Sequence, residues 1–306
     1  MNIVMTGARG MIGSVVCRSL LAQGHRVTSL SRSAPPKRAG GGLDHVRWDG
    51  RSRDEWESCI DGADAVINLA GEPIAGGRWT ESRKALIIGS RLDAANAIVG
   101  AISRTARKPA LLINASAVGY YGDVPEGEVT ETHRPGSGFL SETCLRWEDA
   151  ALEAKKHVAR VVLLRTGIVL DANGGALPKL AMPFRFFAGG IVGSGRQWMP
   201  WIHRDDVAGI ILHALSTDAL DGPINVSAPG PLRMNEFCAQ LARVLQRPSW
   251  LPVPSFALRL LLGEMAGLVL GGQRAIPEKV IASGYRFQFN TLEEALRELF
   301  SRQSKL

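Results

Sequence analysis

Two sets of residues in this 306-residue chain could do chemistry. The first is Thr6-Gly7-Ala8-Arg9-Gly10-Met11-Ile12-Gly13, directly after the apolar run Ile3-Val4-Met5. Glycines at this spacing between a strand and a helix make a phosphate-binding turn. Gly7 permits the tight bend, Gly10 lets backbone approach a pyrophosphate, and Gly13 lets helix pack on strand. A helix starting at Met11 and Ile12 aims its unpaired N–H groups and positive dipole end at the phosphates. The second set is a scatter of proton carriers: Ser116, Tyr120, Tyr121, His203 and Glu72.

The next apolar run decides which dinucleotide is expected. Enzymes that use NAD place an acid about twenty residues beyond the glycines, on the ribose 2′-hydroxyl. Here the run ends Ser29-Leu30-Ser31-Arg32-Ser33, without an acid. Ser31 can hydrogen-bond a 2′-phosphate, and Arg32 can pair with it or stack on adenine. Arg9 adds a second cation, so NADP(H) is the expected cofactor.

These residues need a scaffold, and the hydrophobic pattern outlines one. Strands are expected at Asn2–Thr6, Arg26–Ser31, His45–Trp48, Ala65–Leu69, Ala110–Asn114, Val161–Arg165 and Ile224–Ser227. Helical spacing marks Met11–Gln23, Asp54–Ile60, Glu81–Ser103, Leu140–Lys156 and Asp205–Leu215. Continuously apolar strands separated by helices indicate a Rossmann-type, doubly wound parallel α/β sheet. After about residue 170 the texture becomes rich in glycine and aromatic residues, with a final amphipathic helix at Thr291–Ser301. The expected division is a dinucleotide-binding core at 1–170, rejoined by 204–228. A smaller C-terminal α/β substrate lobe is expected from 171–203 and 229–306. Trp79, Trp198, Trp201, Phe184, Phe186 and Phe187 are its candidate pocket aromatics.

Bulk properties narrow the function classes. The charge of +7 comes from scattered basic residues without any block of like charge, so no nucleic-acid partner is expected. The apolar stretch Phe256 to Leu270 is short and interrupted by Arg259 and Glu264; it reads as a buried helix, and no membrane partner is expected. Cys17, Cys59, Cys144 and Cys238 lie far apart, against a zinc site or disulfide framework and in keeping with a reducing cytoplasm. No His/Cys/Asp/Glu cluster suggests a metal. A small-molecule substrate is expected, and a homodimer is allowed for.

The chain resembles the extended type of the short-chain dehydrogenase/reductase superfamily. Thr6 to Gly13 looks like its TGxxGxxG signature, Asp64-Ala65-Val66-Ile67-Asn68-Leu69-Ala70-Gly71 is similar to its fourth strand, and Trp48-Asp49 to the adenine-contacting end of its third. Within it, the chain is most similar to the nucleotide-sugar-epimerase-like "epimerase family protein" subgroup of the YfcH type. The marks are Gly71-Glu72-Pro73-Ile74, Gly77-Arg78-Trp79, Gly89-Ser90-Arg91-Leu92, Ser116-Ala117-Val118-Gly119-Tyr120-Tyr121-Gly122 and Trp201-Ile202-His203. Pro252 to Phe300 resembles a small C-terminal domain of unknown function found there. The resemblance implies cofactor contacts at Ser31, Arg32, Asp49, Leu69, Ala70 and Arg91, with Gly71, Glu72 and Ala115 beside them.

In one respect the chain departs from the superfamily, whose active members use a serine and a Tyr-x-x-x-Lys pair. With the register anchored on Glu148, the tyrosine position falls on Leu140 and the lysine position on Cys144; an ungapped match puts the serine at Ala117, beside Ser116. Tyr120 and Tyr121 could replace the missing acid, or they could be packing residues. His203 could serve there too, or cap the next helix. Two functions therefore stand: an oxidoreductase or epimerase acting on a small polar or sugar-like molecule with unusual proton donors, and an NADP(H)-binding regulatory or redox-sensing protein without turnover.

Overall fold

Strands without polar alternation are stable only where both faces are covered. In the computed structural model, which describes residues 1–33 and 41–303, seven strands meet that condition in one sheet. They are β1 (Asn2–Thr6), β2 (Arg26–Ser31), β3 (Leu43–Arg47), β4 (Ala65–Asn68), β5 (Leu111–Ala117), β6 (Arg160–Thr166) and β7 (Gly222–Val226). Their order is β7-β6-β5-β4-β1-β2-β3, and every neighbouring pair is parallel. This is the expected Rossmann-type α/β sheet. The strand order reverses between β1 and β4, which opens a crevice at the carboxyl ends of both.

Because side chains alternate along a strand, each strand supplies two cores. Ile3 and Met5 of β1 join Ile67 and Ile113 beneath helices α1 (Met11–Ala22) and α5 (Arg204–Ser216), which contribute Val16, Leu20, Ile210 and Ile211. Val4, Val66, Leu112 and Leu163 point the other way. They meet Ala94, Ile98 and Ile102 of α2 (Glu81–Arg104) and Ala151 of α3 (Phe139–Leu152). Each such large side chain, fully buried, stabilises the fold by about 1.5–3 kcal/mol.

A third core lies outside the sheet. It gathers Leu177 and Phe184 of α4 (Leu177–Arg185), Phe237 and Leu241 of α6 (Met234–Leu245), and Leu296 and Leu299 of the helix Leu292–Gln303 around Trp201. The strand Gln273–Ala275 pairs with Val124–Val129, tying the C-terminal segment to the region beyond β5.

The structure revises several expectations. β5 runs three residues past Asn114, because Ala115, Ser116 and Ala117 keep pairing with Leu164, Arg165 and Thr166. The stretch Asp54–Ile60 is a single 3-10 segment, Glu55–Ile60, that buries Trp56 and Ile60. The stretch Phe256 to Leu270 is not a buried helix. Its first half, α7 (Ser255–Leu262), leaves Phe256, Leu260 and Leu261 more than 70% exposed, and only Ala266 in the whole stretch is buried.

Candidate functional site

The carboxyl edge of the sheet is held by a ladder of buried polar side chains. Thr6 Oγ1 donates to Asn68 Oδ1 at 2.7 Å and accepts the N–H groups of Leu69 and Ala70 at 3.0 and 3.1 Å. Asn68 Nδ2 in turn donates to Asn114 Oδ1 at 2.7 Å. These bonds fix the turns after β1 and β4 against each other.

Within that frame the glycine turn is a cradle. Gly7 has φ +69°, and a Cβ there would stand 2.8 Å from the Leu69 carbonyl oxygen. A Cβ on Gly13 would stand 2.1 Å from the Gly7 oxygen, so α1 can pack this closely only as glycine. Gly10 N–H donates to Gly7 O at 2.9 Å, and α1 begins at Met11 with no side-chain cap and no acid in its first turn. Met11 and Ile12 are half-buried there, while Arg9 is exposed. An uncapped helix start beside a glycine turn fits an anionic pyrophosphate.

Around the cradle the expected contacts occupy different situations. Ser31 is half-buried at the end of β2, and Arg32 next to it is exposed. The Asp49 carboxylate is taken up by its own turn, accepting from the Arg51 and Ser52 backbone, which holds its pKa below the usual range. Leu69, Ala70 and Gly71 follow the Thr6 ladder, and Ala115 is half-buried on β5. The Glu72 carboxylate pairs with Arg83 at 2.9 Å. Arg91 is largely buried and donates to the Glu72 and Ile87 carbonyls. Its guanidinium lies 5.0 Å from the Trp147 ring centre and packs against Gly71. Burial pulls its pKa down.

Beside Arg91 opens a cleft of about 530 Å³. It is lined by the strip from Ser116 to Gly119, by Leu140 and Cys144 of α3, by Trp79 packed on Phe139, and by Leu268 and Gln273 of the C-terminal segment. Ser116 is in place, with its hydroxyl donating to Glu148 Oε1 at 2.6 Å. Burial pushes the Cys144 thiol up to about 11.

Of the five expected proton carriers, Glu72, Tyr120, Tyr121 and His203 do not line this cleft. Tyr121 is buried, donates to Asn225 Oδ1 at 2.6 Å and accepts from Arg165 at 3.0 Å; burial outweighs that cation and pushes its hydroxyl up to about 12. The Tyr120 ring is covered by the Arg165 guanidinium at 3.5 Å. His203 is wholly buried, where its Nδ1 caps α5 by accepting from Asp205 N at 3.1 Å. The structure places both tyrosines in packing and hydrogen bonds and His203 in a helix cap, the alternative roles the sequence left open for them. Most of the expected pocket aromatics are elsewhere too: Phe184 and Trp201 belong to the third core, and Phe186 and Phe187 are exposed. The sequence reading missed Glu148, Arg165 and Gln273. The only signal for the first two was a charge on a mostly apolar helix face and a charge inside an apolar strand.

Comparison with known proteins fits this geometry. The model of the NAD dependent epimerase/dehydratase family matches residues 3–227. The chain belongs to that family. Residues 253–299 match a domain of unknown function, DUF1731, and this segment contributes Leu268 and Gln273 to the cleft lining. Epimerase family protein YfhF of Bacillus subtilis is 42% identical over 304 residues, covering 98% of each chain. The chloroplastic SDR39U1 homolog of Arabidopsis thaliana is 41% identical, over 98% of this chain and 86% of its own. Among solved structures, human epimerase family protein SDR39U1 with NADPH superposes with a TM-score of 0.88 at 33% identity, covering 98% and 99% of the two chains.

Proposed function

We propose that the protein binds NADP(H) in the glycine cradle and acts as an oxidoreductase or epimerase-like enzyme on a small molecule held in the adjoining cleft. One observation carries this reading: Arg91, packed on Gly71 at the cradle, also lines the cleft. A ligand in one is therefore next to a ligand in the other. The cofactor would supply or accept a hydride.

The chain's own residues divide the remaining work. The turn Gly7 to Gly13 and the start of α1 would hold the pyrophosphate, Ser31 and Arg32 the 2′-phosphate, and Leu69, Ala70, Gly71 and Arg91 the ribose side. The NADPH complex of the human relative supports the choice of dinucleotide. Leu140 and Cys144 line the cleft where the family's usual tyrosine and lysine positions fall, and neither carries a charge at neutral pH. Ser116 is the hydroxyl left at the floor, backed by Glu148. Four free thiols support a reducing, cytoplasmic setting.

The same Leu140 and Cys144 favour a second reading, a sensor that binds NADP(H) without turnover. Native mass spectrometry of freshly purified protein, followed by NADPH consumption across a panel of carbonyl compounds, tests both. Bound NADP(H) with consumption supports the enzyme; bound NADPH that is never consumed supports the sensor. A protein that takes up no NADP(H) overturns both.

A further inference from the structure

Resting on that reading of the cradle, we infer that the cleft takes an apolar, planar carbonyl compound, an aromatic or conjugated ketone or quinone, and not a nucleoside-diphosphate sugar. The walls come first. Ile74, Phe139, Leu140 and Leu268 face the cavity with Trp79, whose ring meets that of Phe139 edge-on at 4.9 Å. Such a surface gains by covering a flat apolar molecule and gains nothing from a row of hydroxyls.

The polar groups of the lining point to the same class. A sugar needs donors and acceptors placed along its rim, and a site built for it leaves such groups ready. Five of the lining side-chain donors are already used within the protein, while the buried Trp147 Nε1 has no partner. Ser116 donates to Glu148 at 2.6 Å, Thr143 to the Phe139 carbonyl at 2.6 Å, and Thr166 to the Leu164 carbonyl at 3.1 Å. Gln273 Nε2 donates to the Val118 carbonyl, and Trp79 Nε1 to the Ile74 carbonyl at 2.9 Å. Turning any of them to a sugar hydroxyl would break a bond already made.

Charge excludes a diphosphate. Among the described residues lining the cleft, Arg91 is the one cation, against the carboxylates of Asp123 and Glu264. Arg91 Nη1 already donates to two backbone carbonyls, those of Glu72 and Ile87. Nearby Arg83 and Lys84 each carry a carboxylate partner, Glu72 at 2.9 Å and Glu264 at 2.7 Å. Phosphate recognition ordinarily rests on several cations or free N–H groups converging on one anion. A neutral carbonyl asks for none of this.

Calorimetry on NADP⁺-loaded protein tests the inference, with acetonaphthone as the planar ketone and UDP-glucose as the nucleotide sugar. Saturable binding of acetonaphthone, with UDP-glucose at least about tenfold weaker, is expected. Leu268→Lys, which puts a cation into the part of the lining that the C-terminal segment supplies, should weaken acetonaphthone about fivefold or more and leave NADP⁺ affinity unchanged. Trp79→Ala should act in the same direction, and the Leu268 variant covers the case in which it does not fold. Equal or tighter binding of UDP-glucose overturns the inference, as does an absence of saturable ketone binding or indifference to Leu268→Lys. Failure of the wild type to bind NADP⁺ is a separate result, and it overturns the cofactor reading itself.

Discussion

Arg165 and Glu148 form a two-point ion pair inside the protein, Nε to Oε1 at 2.9 Å and Nη2 to Oε2 at 2.8 Å, with 4% of each side chain exposed. Around it the cleft floor is assembled: Ser116 donates to Glu148, Tyr121 accepts from Arg165, and the Tyr120 ring lies under the guanidinium. Burial opposes the arginine's charge, but the Glu148 carboxylate outweighs it and holds the pKa above its usual range. The arginine therefore stays charged, and it holds both tyrosines, Tyr120 by its ring and Tyr121 by its hydroxyl.

Breaking the pair should be far worse than replacing it. Glu148→Ala leaves a buried guanidinium without its carboxylate and should cost about 3–5 kcal/mol of stability. The double variant Glu148→Leu/Arg165→Met should lose much less, since both desolvated charges disappear together. Thermal or urea melts of the three proteins decide it. A single variant within about 1 kcal/mol of wild type would mean the pair is not the anchor its geometry suggests.

His203 should behave as a cap. Its Nδ1 accepts from Asp205 N, and its Nε2 lies 3.1 Å from Glu298 Oε2, the geometry of a neutral ring donating to that carboxylate. Burial lowers its pKa below the ordinary 6.5, against the pull of Asp205 and Glu298. The sign follows: the unfolded chain binds the proton more readily, so this stability is present above about pH 6.5 and is lost as pH falls. His203→Asn keeps a capping group and should flatten the fall in melting temperature below that pH while leaving NADPH affinity intact. An unchanged acid limb, or a lost cofactor affinity, would refute the assignment.

How far the sequence disclosed this site depends on the range of the forces involved. The run Ile3-Val4-Met5 and the glycines after it are local signals, and β1, β2 and the start of α1 follow directly from them. The end of β5 was not legible, because Ser116 looks like a strand stop until Arg165 is seen pairing beside it. Nor does anything near Tyr120 announce that a cation 45 residues later covers its ring. The apolar pattern of α7 predicts a buried face only if a partner surface exists, and Phe256 and Leu260 have none among the described residues.

Arg32 offers a test of the choice between dinucleotides. It stands exposed after Ser31 at the end of β2, where no acid competes for a 2′-hydroxyl. Arg32→Glu should raise the NADPH dissociation constant at least about tenfold, the scale of one charge-assisted bond, and leave NADH binding level or improved. Fluorescence titration of both nucleotides gives the ratio. Parallel losses for NADPH and NADH would show that Arg32 does not read the phosphate.

Cys144 supplies an alkaline counterpart to His203. Its thiol lines the cleft, and burial pushes it from 9.0 up to about 11, with Glu148 adding to the rise. Two consequences follow. At neutral pH the native thiol is protonated, so the thiolate-requiring reagent iodoacetamide should modify it slowly, and fully only after denaturation. Between about pH 9 and 11 the unfolded chain releases this proton while the folded protein keeps it. This contribution to stability is therefore complete below pH 9 and is lost as pH rises towards 11. Cys238, also raised to about 11, acts in the same window, so the comparison must be made against a variant. Cys144→Ala should lessen the alkaline fall in melting temperature without abolishing it. A Cys144 that reacts as fast as a free thiol at neutral pH would contradict this assignment and make it a candidate nucleophile in the cleft.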